Sequence, residues 1–103
     1  MKIYISGKIT GLPENEVAEK FKKAADVIRA KGHEPVSPPE FVTHYEGKTW
    51  ADYMVECLDV LKTCDALLSL DDANESNGAI CEYWFAQGCG IKWFEDINEI
   101  PTV

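Results

Sequence analysis

No stretch of the 103-residue chain approaches the roughly eighteen uninterrupted apolar residues of a membrane span. The opening Met1-Lys2-Ile3-Tyr4-Ile5-Ser6-Gly7 also lacks the apolar core of a signal peptide. A cytoplasmic protein without membrane contact is the expectation. Basic residues are scarce, with 10 Lys and Arg against 18 Asp and Glu, a net charge of −8. Polymeric nucleic acid and anionic membrane surfaces need a basic face, so neither is an expected partner, and any anionic ligand must be small and held locally. No C-x-x-C occurs among Cys57, Cys64, Cys81 and Cys89, and buried, reduced thiols are expected rather than bridges. His33 and His44 lie eleven residues apart with no cysteine pair at ligand spacing, so no metal and no cofactor are expected.

Phosphate-loop motifs are missing as well. Gly47-Lys48-Thr49 has the ending of a P-loop, but Val42 stands where that motif needs its first glycine, and no buried strand leads into it. Gly7-x-x-x-Gly11 is not a dinucleotide fingerprint and on its own marks a turn.

What the chain does have is the composition of one soluble domain over residues 1–103, 46% hydrophobic and 27% charged. A chain of this size hides roughly 65% of its unfolded surface, enough for a core without staples. Lys2 to Ser6 reads as a strand stopped by Gly7. Val17, Phe21, Ala24, Ala25 and Ile28 recur at helical spacing between Glu14 and Lys31, with Gly32 as the stop. His33 to Ser37 suits a short edge strand, because Pro35 is tolerated only at an edge or a strand start, and Pro38 and Pro39 close it. Glu40 to Thr49 reads as a loop. Trp50, Tyr53, Met54, Cys57, Leu58 and Leu61 then form the stripe of a second helix with Thr49 as N-cap.

Asp65 to Leu70 is apolar enough for a covered parallel strand, and Asp71 to Gly78 is an acidic turn. Ala79 to Gln87 reads as a third helix ending at Gly88 or Gly90, and Ile91 to Glu95 as a last strand. This βαβαβαβ order predicts an α/β protein, a three-layer α/β/α sandwich of flavodoxin-like (Rossmann-like) type with four to five parallel strands and the first strand central. Ligands of such folds sit beyond the carboxyl ends of the strands where strand order reverses, so the loops Gly7–Gly11 and Asp71–Gly78 are expected to meet there.

The second loop carries the sharper signal. Gly78 and Glu82 lie four apart at the start of a helix and share a face, so a glycine leaves room for a ligand beside a carboxylate, and free N–H groups with the Ser76 hydroxyl offer a place for an anion. The same spacing also suits a plain N-cap at Ser76 and a solvated Glu82.

The chain resembles the nucleoside 2-deoxyribosyltransferase superfamily, in particular the small branch of 2′-deoxynucleoside 5′-phosphate N-hydrolases and DUF4406-like proteins. The resemblance rests on Tyr4-Ile5-Ser6-Gly7-Lys8-Ile9-Thr10-Gly11, on Cys64-Asp65-Ala66-Leu67-Leu68-Ser69-Leu70, and on Ser76-x-Gly78-x-x-x-Glu82 followed by Ala86. It implies that Glu82 is the nucleophile, that Tyr4 hydrogen-bonds its carboxylate, and that Gly7 and Ile9 line the sugar site. Ser6, Lys8 and Thr10 would lie near the sugar or its 5′ substituent, and Ser76, Asn77 and Gly78 would complete the substrate site. Ser76 stands where transferases of free nucleosides usually have Asp, and a hydroxyl can donate to a phosphate that a carboxylate would repel. Cys57 stands eight residues before Asp65, where the family commonly has an acidic residue near the base, and a thiol is a poor proton donor. Asp71 or Asp72 is then open as the acid, and Asp72 is carried with the catalytic set.

The implied function is cleavage or transfer at the N-glycosidic bond of a nucleoside or nucleoside 5′-monophosphate through a glycosyl-glutamate ester. The alternatives are a catalytically silent nucleotide-binding or regulatory module and a TIR-like NAD-cleaving domain. Trp50, Tyr53, Trp84, Phe85 and Trp93 supply more aromatic surface than a small core covers, so a homodimer or higher oligomer is expected through the second and third helices.

Overall fold

In the computed structural model, which describes all 103 residues, eight helices and strands follow one another. They are β1 (Lys2–Ser6), α1 (Glu14–Ala30), β2 (Glu34–Val36), α2 (Pro38–Phe41), α3 (Trp50–Leu61), β3 (Ala66–Ser69), α4 (Asn77–Cys89) and β4 (Lys92–Phe94). All strand pairs are parallel, in the order β2-β1-β3-β4. Ile3 to Ser6 lie opposite Ala66 to Ser69, so the first and third strands are the central pair. The chain winds outward one way to β2 and the other way to β3 and β4, which puts the reversal of strand order between β1 and β3. Pro35 sits opposite Ile3 on edge strand β2, the place where a missing N–H does no harm.

Two apolar layers hold the sheet. On one face Ile3, Ile5, Ala66, Leu68 and Phe94 meet the α1 stripe of Val17, Phe21, Ala24, Ala25 and Ile28. On the other, Tyr4 and Leu67 meet Cys57 and Leu61 of α3, Cys64, and Ala86 of α4. Helix α3 starts as its sequence asks: Thr49 Oγ1 accepts from Asp52 N at 3.1 Å and Asp52 Oδ2 from Thr49 N at 2.9 Å, a reciprocal cap. Helix α4 begins two residues before the Ala79 expected and runs to Cys89, ending on Gly90 with φ +73°, a left-handed stop suited to glycine.

Three further expectations need correction, and one element past β4 was not among the expectations. Pro38 and Pro39 open the helical turn α2 instead of merely closing a strand, because proline at the first helical positions gives up no hydrogen bond. Past β4 a 3-10 turn at Ile97–Glu99, capped by Asp96 and Glu99, brings Ile100 into the α1 layer, 2% exposed. Trp50 belongs to the apolar stripe by spacing, yet it is 55% exposed. Of the four unpaired cysteines only Cys57 and Cys64 are buried; Cys81 is half-buried and Cys89 exposed. No helix is long and apolar enough to cross a membrane.

Candidate active site

Pleating sends successive β1 side chains to opposite faces, so Tyr4 and Ser6 point together toward α4. Glu82 lies one turn into that helix and is buried, 5% exposed. The Tyr4 hydroxyl donates to Glu82 Oε2, and Ser6 Oγ donates to Glu82 Oε1 at 2.9 Å. Burial pushes the Glu82 carboxyl up from its ordinary 4.5 to about 7, against the pull of the Tyr4 and Ser6 hydrogen bonds. Burial, and then the Glu82 charge, drive the Tyr4 hydroxyl far above its ordinary value, so Tyr4 remains a donor.

Glu82 forms part of the wall of a cavity of about 510 Å3. Gly7, Ile9 and Thr10 line it from the loop after β1, Ser76 and Gly78 from the start of α4, and Met54 and Cys57 from α3. The convergence of the two loops expected from strand order is therefore present. Gly7 suits the close approach there: a Cβ would come within 2.9 Å of Leu70 Cδ1 and 3.3 Å of Asp72 Oδ1, so the Leu70 side chain would have to shift. Gly78 faces the Met54 sulfur, 3.3 Å from where its Cβ would stand. Ser76 does both things the sequence allowed, accepting from Ala79 N at 3.2 Å as the α4 N-cap and lining the cavity.

Three candidates stand apart. Asn77 is exposed and Lys8 half-buried, and neither side chain lines the cavity. Asp72 is also outside it. Its Oδ2 pairs with Lys20 Nζ at 2.6 Å and its Oδ1 accepts from Lys8 N at 3.0 Å, while Lys20 Nζ also donates to Lys8 O at 2.6 Å. The Asp72 carboxyl is held low, because these hydrogen bonds outweigh its partial burial. Asp72 thus ties the loop after β1 to α1, apart from the cavity that holds Glu82. Burial raises the Cys57 thiol to about 11.

Sequence reasoning missed the cavity's outer wall, formed by Pro38, Val42, His44, Trp50 and Tyr53. The available signal was Tyr53 and Glu56, three apart on one face of α3, with a loop of ring and hydroxyl side chains just before them. A larger open groove of about 910 Å3 runs along Tyr83, Trp84 and Trp93. It shares only Ala79 with the first and holds neither Glu82 nor a hydroxyl aimed at it, so the chemistry belongs to the smaller cavity.

Two solved structures share this arrangement of elements. One is a 2-deoxyribosyltransferase from Bacillus psychrosaccharolyticus, with a TM-score of 0.70 at 19% identity over 100% of this chain and 92% of that one. Another, a 2-desoxiribosyltransferase from Leishmania mexicana, gives 0.67 at 18% identity over 90% of this chain, which spans 61% of its length. At such identities the likeness is one of fold. A sequence comparison with curated proteins finds no match. Residues 1–94 match the family model described as a domain of unknown function, DUF4406, and over that span, which includes Tyr4, Ser6 and Glu82, the chain belongs to the DUF4406 family, built on the deoxyribosyltransferase fold.

Proposed function

We propose that the protein breaks the N-glycosidic bond of a nucleoside or nucleoside 5′-monophosphate, with Glu82 as nucleophile. The observation that carries this reading is a buried glutamate in a cavity wall, fixed through both oxygens by Tyr4 and Ser6. A carboxylate aimed by two donors is prepared to bond to an anomeric carbon as the base departs, and splitting displacement into two steps suits an oxocarbenium-like transition state. The deoxyribosyltransferase names of the two fold relatives support the same substrate class.

The cavity wall contains no Lys or Arg, while Glu14 is part of it. That balance favours a neutral nucleoside. The monophosphate reading keeps one specific support, the Ser76 hydroxyl beside the α4 N-terminus. Base release from paired ribo- and deoxyribonucleosides and their 5′-monophosphates, followed by chromatography, decides between them. Wild type should release base and Glu82→Gln should not, while the variant keeps its fold. Equal rates in both proteins would overturn the nucleophile, and stabilisation by a nucleotide that is never cleaved would favour the silent module. Release of nicotinamide from NAD would favour the TIR-like alternative.

Self-association is proposed through α4. Its one charged residue is the buried Glu82, yet Ile80 is 41% and Trp84 66% exposed. These exposed apolar side chains offer a contact surface to a second copy, beside a groove edged by Asp71, Glu95, Asp96 and Glu99, so added salt should favour the association. A dimer mass by light scattering at micromolar concentration, lost in Trp84→Glu, is expected; a monomer mass for wild type would refute it. The four unpaired thiols suit a reducing compartment such as the cytoplasm.

A further inference from the structure

Cleavage of a glycosidic bond leaves an electron pair on the base, and a proton must meet it unless the base departs as a stable neutral species. Of the groups in the cavity wall, Glu14 is exposed in the first turn of α1 with no side chain holding it, and Cys57 is buried against Tyr4 and Glu82. His44 enters the same wall from the loop between α2 and α3, next to the Trp50 and Tyr53 rings. It is held there from one side only. His44 Nδ1 lies 2.8 Å from the Tyr53 hydroxyl, with the two rings 5.6 Å apart, and Nε2 has no partner in the protein.

The hold on His44 extends one step further back. Its neighbour Thr43 donates from Oγ1 to Glu56 Oε2 at 3.2 Å, and Lys48 Nζ donates both to Thr43 O and, at 2.6 Å, to Glu56 Oε1. The Lys48 side chain is 3% exposed, with its ammonium 4.1 Å from the Tyr53 ring centroid and 5.4 Å from that of Tyr45. Tyr53 and Glu56 sit one turn apart on α3, so Thr43 and His44 are pinned to one rigid face. An otherwise exposed loop residue is thereby given a fixed position with one nitrogen left free.

We propose that His44 is the catalytic residue that protonates the departing base, with Tyr53 and the Lys48–Glu56 pair as its positioning residues. The inference rests on the glycosidic reading of the Glu82 site. In the imidazolium form Nδ1–H donates to the Tyr53 oxygen. As Glu82 bonds to the anomeric carbon, the carbon–nitrogen bond breaks, its electron pair passes to the base, and the base nitrogen takes the Nε2 proton. Water then attacks the anomeric carbon, the ester bond breaks to return the Glu82 carboxylate, and the proton lost by water returns to Nε2. Trp50 and Tyr53 line the same cavity, and the indole of Trp50 offers ring surface on which a planar base can stack.

The test compares purine nucleosides with their N7-methylated counterparts, whose fixed positive charge lets the base leave neutral without a proton. Wild type, His44→Gln, Tyr53→Phe and Glu82→Gln are assayed on both, and thermal melting checks the fold. His44→Gln should lower kcat/KM on the unmethylated substrates by about 100-fold or more and change the methylated ones by less than about 3-fold. Tyr53→Phe should lower the same ratio of rates by about 10-fold. Equal losses on both substrates, or none on either, in His44→Gln would overturn the proposal while Glu82→Gln stays inactive. Base release undiminished in Glu82→Gln, or absent from wild type on both substrates, would instead overturn the glycosidic reading beneath it.

Discussion

The two faces of β1 differ by one residue of register and by everything else. Ile3 and Ile5 enter an apolar layer of eleven buried residues. Tyr4 and Ser6 enter a smaller layer whose neighbours are a glutamate, a thiol and a cavity. The apolar face has the density and area to stabilise the fold, since burial of aliphatic side chains is its main source. On the other face a carboxylate stays buried at a cost that burial alone would make prohibitive, and two hydroxyl donors reduce it. One strand thus separates stability from chemistry by alternation, and each face can be altered with little effect on the other.

Truncation of the dry face should give the largest effect. Leu68, fully buried in that layer, becomes a cavity in Leu68→Ala, and a loss of about 2–5 kcal/mol in denaturant unfolding is expected. An equally large loss from Ser6→Ala would erase the contrast between the faces.

The next effect has the opposite sign. The carboxyl of Glu82 titrates at about 7 in the fold against 4.5 as its ordinary value, so its contribution is fully present below pH 4.5 and lost as pH rises through 7. In Glu82→Gln nothing ionises. The variant should therefore gain on wild type across that window, by about 3 kcal/mol at most at pH 8. Unfolding curves from pH 4.5 to 8 would show it, and a constant difference would refute it. Base release from an N7-methylated nucleoside, which needs no proton from His44, should rise through the same window, because the nucleophile is the ionised form, and Ser6→Ala should move that limb to higher pH by removing a hydrogen bond that favours the ionised form.

The sequence was most legible where one periodicity ruled. The α1 stripe, the parallel central strands and the Thr49 cap follow from spacing and cap chemistry alone. Glu82 was visible as a carboxylate one turn from a glycine, but not its burial, which depends on Tyr4 and Ser6 some 78 and 76 residues away. Ile100 and α2 escaped notice because a 3-10 turn and a proline-led turn have no long repeat to read. The ion pair of Asp72 was illegible for a related reason. The partner Lys20 lies 52 residues away on α1, and no local pattern announces an ion pair of that separation.

Where the faces meet, at the carboxyl end of β1, close packing takes over from alternation. Gly7→Ala would drive a methyl into Leu70 and Asp72, and a loss of about 1–3 kcal/mol is expected, with weaker ligand-induced stabilisation as the loop shifts. Unchanged unfolding would show that Leu70 yields freely.

The smallest effect tests whether the dry side helps to shape the site. Lys20 belongs to α1, which packs on the apolar face, yet its ammonium reaches over the strand end to Lys8 O and Asp72. The pair is partly exposed, with side-chain exposures of 26% and 23%, so Lys20→Met should cost only about 1 kcal/mol, less in high salt. Its consequence for the cavity should be larger than for the fold. Released from the clamp, the Gly7–Thr10 loop samples other positions, and each must be reordered when a sugar binds. KM should therefore rise several-fold, by about the factor that 1 kcal/mol represents. The acidic limb set by Glu82 should stay where it is, because neither Tyr4 nor Ser6 moves. A shift of that limb in Lys20→Met would show that the clamp reaches the carboxylate itself and that the two faces are less separate than alternation makes them.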